Sequence, residues 1–128
     1  MTTNVTLTQH SYASSTVLAP AGRLDHDNCE AFRVALQPLL EQGAKSGGGI
    51  VFDLSALDYV SSAGLRCFMI AAKEAKTLGS KIVIAAMQPV VAEIFQISRF
   101  NLVFDTYPTV RDALVTLSPE SAAAYGRE

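Results

Sequence analysis

Ile50-Val-Phe-Asp-Leu-Ser-Ala-Leu-Asp-Tyr-Val-Ser-Ser-Ala-Gly-Leu-Arg66 decides the fold. Ile50 to Leu54 is an apolar run broken by one Asp, the composition of a central strand buried on both faces. A short acidic loop follows, ending in Ser61 and Ser62. Beyond them Leu65, Phe68, Met69, Ala72 and Ala75 recur at helical spacing. Strand, loop and helix N-terminus in direct succession mark an α/β unit. A hydroxyl at that junction has two readings. It caps the helix, stabilising it by about 1 kcal/mol, or it is a chemical handle. The residues alone leave both open.

Working outward, Val5 to Leu7 and Ser15 to Ala21 read as two short strands, with a polar turn over Gln9 to Ser14. Gly22 permits a bend or bulge before Arg23-Leu-Asp25. Asp27 and Glu30 have the spacing of a capping box. Cys29, Phe32, Leu36, Leu39 and Leu40 then predict a helix that Pro38 should kink or weaken and that Gln42 to Gly49 ends in a flexible loop. Gly79 suits a C-cap for the second helix, Lys81 to Ala86 a buried strand, and Pro89 the first turn of a third helix reaching about Ser98. Leu102 to Asp105 is expected as a last strand, and Pro108 to Leu117 as a final helix. The predicted order is β-β-α-β-α-β-α-β-α, a largely parallel sheet with helical cover.

The 128 residues are 49% apolar and 17% charged, enough for one core and one domain. Net charge is −2 with scattered Lys and Arg, so nucleic acid is not an expected partner. No apolar run reaches the roughly 20 residues that span a bilayer, and the first residues lack a signal-peptide pattern. A cytoplasmic protein without direct membrane contact is expected. Cys29 and Cys67 are expected as small buried hydrophobes rather than disulfide partners or metal ligands.

Catalytic readings fit poorly. Val60-Ser-Ser-Ala-Gly64 lacks the first glycine of a nucleophile elbow, and His10 and His26 both precede it. Gly47-Gly-Gly49 lacks the Lys-Ser/Thr of a phosphate loop. No cluster has metal-ligand spacing. Asp53 lies within its strand, without the acidic pair and lysine of a phospho-aspartate receiver. No enzymatic activity, cofactor or metal is expected.

Four ordered segments carry a family resemblance: Gly22-Arg-Leu-Asp25, Phe52-Asp-Leu-Ser with Tyr59-Val-Ser-Ser-Ala-Gly-Leu65, Gly79-Ser-Lys-Ile-Val-Ile84, and Val91-Ala-Glu-Ile-Phe-Gln-Ile-Ser98. Together the chain resembles a STAS domain of the anti-sigma factor antagonist kind, over residues 4–117, with 118–128 a flexible tail. The resemblance implies a single-domain α/β fold with a mixed, mostly parallel sheet and helices largely on one side. It implies a partner that is both anti-sigma factor and serine kinase, a serine phosphatase, and a monomer or weak homodimer. Ser62 takes the phosphoacceptor place, with Ser61 the alternative, because Ser61 stands where relatives have Asp. The implied partner-binding face is Arg23, Asp25, Asp58, Ser61, Ser62, Ala63, Gly64 and Arg66. Two other functions are compatible with the fold: a STAS scaffold in a transporter complex without a phospho-switch, and a small-ligand binder.

Overall fold

The computed structural model describes residues 6–126. Strands β1 (Thr6–Tyr12) and β2 (Ser15–Leu24) form an antiparallel hairpin, with Tyr12 opposite Ser15. Ala13, at φ 53, opens its tight loop, where such hairpins require a left-handed residue. The expected turn over Gln9 to Ser14 therefore shrinks to Ala13 and Ser14. Gln9, His10 and Ser11 look loop-like because β1 is an edge strand whose side chains are largely exposed. Val5 lies outside the described residues.

Four more strands complete the sheet: β3 (Ile50–Asp53), β4 (Leu57–Val60), β5 (Ile82–Ala85) and β6 (Thr106–Tyr107). The order is β1-β2-β3-β5-β6, with β4 paired to the far end of β2. Every pairing except β1 with β2 is parallel. β2 serves two neighbours in turn: Thr16 to Leu18 pair with β3, and Gly22 to Leu24 pair with β4. Gly22, at φ 102, stands where the register with β4 shifts; a glycine tolerates this conformation without strain.

Alternation along the strands splits the core into two layers. Ile50, Phe52, Ile82 and Ile84 face one cluster; Val51, Val83 and Ala85 face another. Helices α1 (Cys29–Ser46), α2 (Ser62–Thr77) and α3 (Pro89–Ile97) cover the first. Phe68 of α2 is its hub, meeting Phe52, Phe32 and Phe95 at ring-centroid distances of 5.1, 5.9 and 6.1 Å. Burying one such side chain stabilises the fold by about 1.5–3 kcal/mol. Helices α4 (Val110–Leu117) and α5 (Pro119–Gly126) cover the second layer.

Five further features differ from expectation. β4 replaces the acidic loop, because Leu57 and Val60 are buried while Asp58 between them is exposed. α1 runs through Pro38 to Ser46. Gly43 continues that helix because a Cβ there would meet Ile50 Cγ1 at 2.8 Å, so the glycine serves close packing rather than a loop. The capping box does not form: Asn28 precedes the helix, and Glu30 instead pairs with Arg33. Leu102 to Asp105 is not a strand. A 3₁₀ turn over Phe100–Leu102 buries Phe104 against Phe95, and β6 follows as a short edge.

The fifth difference is α5, found where a frayed end is expected. Ser121 Oγ donates to Ser15 Oγ at 2.7 Å, and Ser15 Oγ donates to the Gly48 carbonyl at 2.6 Å. Tyr125 packs edge-on against Tyr12 at 5.1 Å. A tail of small residues forms a helix here because small side chains fit closely over the sheet.

Two predictions follow from these contacts. Truncation after Ser118 should lower stability by about 2 kcal/mol, through a lost buried hydrogen bond and lost apolar cover; an unchanged urea midpoint would show that α5 contributes nothing. Gly64→Ala should also lower the midpoint, although Gly→Ala normally favours a helix. A Cβ there meets Val60 Cγ2 at 2.7 Å and the Leu24 carbonyl oxygen at 2.9 Å, and such overpacking costs about 1–3 kcal/mol. A raised midpoint would contradict the close approach.

Candidate functional site

The site lies where β2 and β4 end side by side. Leu24 pairs with Val60, and the Leu24 carbonyl accepts from Ser61 N at 2.9 Å. The chain then turns directly into α2. Ser61 is extended (φ −86, ψ 174), and its Oγ accepts from Gly64 N at 3.2 Å. Ser61 is therefore the N-cap. Ser62 is the first residue of α2 and is exposed, with its hydroxyl directed to no partner among the described residues. The cap reading therefore falls to Ser61.

The adjoining loop is built around Asn28, which is buried. Its Oδ1 accepts from Asp25 N at 2.9 Å, and its Nδ2 donates to the Arg23 carbonyl at 2.7 Å. Asp25 Oδ1 accepts in turn from Asp27 N at 3.0 Å, and the Asp25 carbonyl accepts from Cys29 N at 2.9 Å. This network folds residues 23–28 into a fixed shape. Arg23 lays its guanidinium over the Tyr59 ring, 4.4 Å from the centroid, a cation–π contact across paired strands. Asn28 is absent from the residues that the sequence singles out. An Asn just ahead of a helix is the available signal, since that side chain readily bonds nearby backbone.

Between the first turns of α1 and α2 runs a groove of about 430 Å³. Cys29, Glu30 and Arg33 line one wall; Ser62, Ala63, Arg66, Cys67 and Ile70 line the other. Arg33 grips Glu30 with two bonds, of 2.6 and 3.2 Å. Those bonds hold the Glu30 carboxyl below its ordinary range and raise Arg33. Burial pushes the Cys67 thiol up to about 12, helped by the neighbouring Cys29. The Cys67 thiol donates to the Cys29 carbonyl at 3.4 Å. Such a thiol stays protonated and unreactive near neutral pH.

The structure thus gathers Arg23, Asp25, Ser61, Ser62, Ala63, Gly64 and Arg66 at one end of the sheet. Gly64 is buried against Leu24 and Val60, so its part is to let α2 approach. Asp58 is exposed on β4 but turned to α3, where its carboxylate accepts from Gln88 Nε2 at 3.1 Å. Neither histidine serves Ser62: His26 contacts Asp27, and His10 stacks near Tyr12. Asp53 uses its carboxylate in a turn, accepting from Ser55 N at 3.0 Å. The arrangement offers an exposed hydroxyl beside charged side chains on a rigid frame.

No helix among the described residues is long and apolar enough to cross a membrane. The fold has counterparts in known proteins. The Bordetella bronchiseptica protein BtrV, named for anti-sigma factor antagonism, is 34% identical over 83 residues, 65% of this chain and 69% of that one. An anti-sigma factor antagonist from Mycobacterium paratuberculosis superposes with a TM-score of 0.78 at 22% identity, covering 89% of this chain and 94% of that one. The Bacillus cell fate determinant SpoIIAA, solved in its phosphorylated form, gives a TM-score of 0.62 at 18% identity, over 90% and 100%. At these identities the two structures speak for the fold. A family model for the STAS domain matches residues 4–113, from before β1 into α4. With that match over most of the chain and a fold shared with the solved structures, the chain belongs to the STAS domain family.

Proposed function

We propose that this STAS protein is an anti-sigma factor antagonist and a binding module rather than an enzyme. Its partner is an anti-sigma factor that is also a serine kinase. The docking face is the end of the sheet where Arg23, Asp25 and the start of α2 meet, with Asp58 at its margin. Binding of the unmodified form releases a sigma factor. Phosphorylation of Ser62 breaks the complex, and a serine phosphatase restores it. Family membership and the BtrV likeness support the antagonist role. The observation that carries the switch is the division of labour between the serines: Ser61 is engaged as the cap, and Ser62 is exposed one residue on.

The physics favours a switch at the surface. Phosphorylation adds about −1.5 to −2 charges at neutral pH. At the start of α2 that charge meets free backbone N–H groups and the positive end of the helix dipole. The helix is not melted. What changes is the face a partner must desolvate, where an unmatched dianion is strongly unfavourable.

The test separates the serines. Ser62→Asp should keep its circular dichroism and its stability within about 0.5 kcal/mol, as exposed positions do, yet bind the cognate kinase at least about tenfold more weakly, a loss of about 1.4 kcal/mol. Ser62→Ala should bind and resist phosphorylation. Ser61→Ala should lose about 1 kcal/mol of stability with its cap, yet still be phosphorylated at Ser62. Phosphate mapped to Ser61 by mass spectrometry, or an unfolded Ser62→Asp variant, would overturn the assignment.

A further inference from the structure

We propose that Arg66 is the residue that receives the phosphate, closing onto phosphorylated Ser62 at the mouth of the groove between α1 and α2. This rests on Ser62 being the modified serine. Ser62 and Arg66 are four residues apart on α2, both exposed, and both line that groove. Residues so spaced on a helix lie about 5–6 Å apart at Cβ. An acid placed four residues before a base is also the favoured order.

Arg66 is available for this role. Among the described residues it forms no ion pair, whereas Arg33 across the groove is already gripped by Glu30. That grip also leaves no unpaired carboxylate among the groove-lining residues to oppose the phosphate. The remaining titratable groups of the lining are the Cys29 and Cys67 thiols. A guanidinium is suited to this task, because its planar fork matches phosphate with two parallel bonds.

Modification then alters the face twice. It adds a dianion, and it withdraws the free Arg66 cation from whatever acidic group of the partner it meets in the unmodified state. The phosphate is held in cis along α2 instead of projecting freely, so the modified form is a defined second state of the surface.

The experiment uses the full chain with phosphoserine incorporated at position 62 during translation, so that it does not depend on any kinase. Phosphorus NMR follows the phosphate through its second ionisation, whose ordinary pKa is about 6. Pairing with Arg66 stabilises the dianion and lowers that value. Arg66→Gln should raise it by about 0.5 unit, the scale of an exposed helix pair strengthened by a double charge. Arg66→Lys should recover part of the shift. Lys73→Gln removes a charge eleven residues further along α2, about 16 Å by helical rise and beyond the Debye length, and should move the value far less. Equal shifts for Arg66→Gln and Lys73→Gln would overturn the proposal. If the kinase marks Ser62 but the Arg66 shift is absent, this proposal fails and the functional reading stands; phosphate mapped to another residue would overturn both.

Discussion

The close approach of α2 to the end of β2 is the constraint on which the rest depends. Leu24 supplies a carbonyl to Ser61 N, and the same carbonyl would lie 2.9 Å from any Cβ at position 64. Only glycine lets the first turn of the helix sit there. Several features follow from that seating. β4 is pulled beside β2, so that Arg23 reaches Tyr59. Ser61 is committed to the cap, and Ser62 becomes the first exposed hydroxyl of the helix. Phe68, six residues on, is delivered to the centre of the aromatic cluster.

The parts of the fold legible in the sequence are those in which side-chain pattern and backbone state agree. β5, and β3 up to Phe52, are continuous apolar runs because both faces are covered. Gly79 (φ 79) closes α2, and Pro89 opens α3. Ser61 and Ser62 stand out as a pair, but only geometry assigns the cap to one and exposure to the other. The elements read differently are those in which the two signals part. β1 pairs its backbone while its side chains face water, so it resembles a turn. β4 has buried Leu57 and Val60 around exposed Asp58, too short a pattern to stand out. Gly43 and Ala122 are small because a neighbour is close, a fact invisible until the fold brings Ile50 or the sheet against them. Asn28 shapes the loop through bonds to Asp25 and Arg23 that sequence spacing cannot display.

Under the proposed reading, a domain of this architecture changes its partner without changing its fold. The frame beneath the site is dense: Leu24, Val60 and Phe68 are essentially fully buried. Such packing resists deformation. The charged groups above it are exposed and held by few bonds, so a new charge alters the surface more readily than the core. A helix N-terminus is the favourable place for added negative charge, and a neighbouring cap already secures that turn. In the proposed switch, stability and signalling are carried by adjacent residues with separate tasks.

The most direct test is amide hydrogen exchange on the chain carrying phosphoserine at position 62, compared with the unmodified chain. If charge acts at the surface of an intact fold, the amides of α2 from Phe68 to Ala75 and those of β4 keep or increase their protection, and changes are confined to the first turns of α1 and α2. Loss of protection along α2 and β4 would show that phosphorylation works by unseating the helix, contradicting the account.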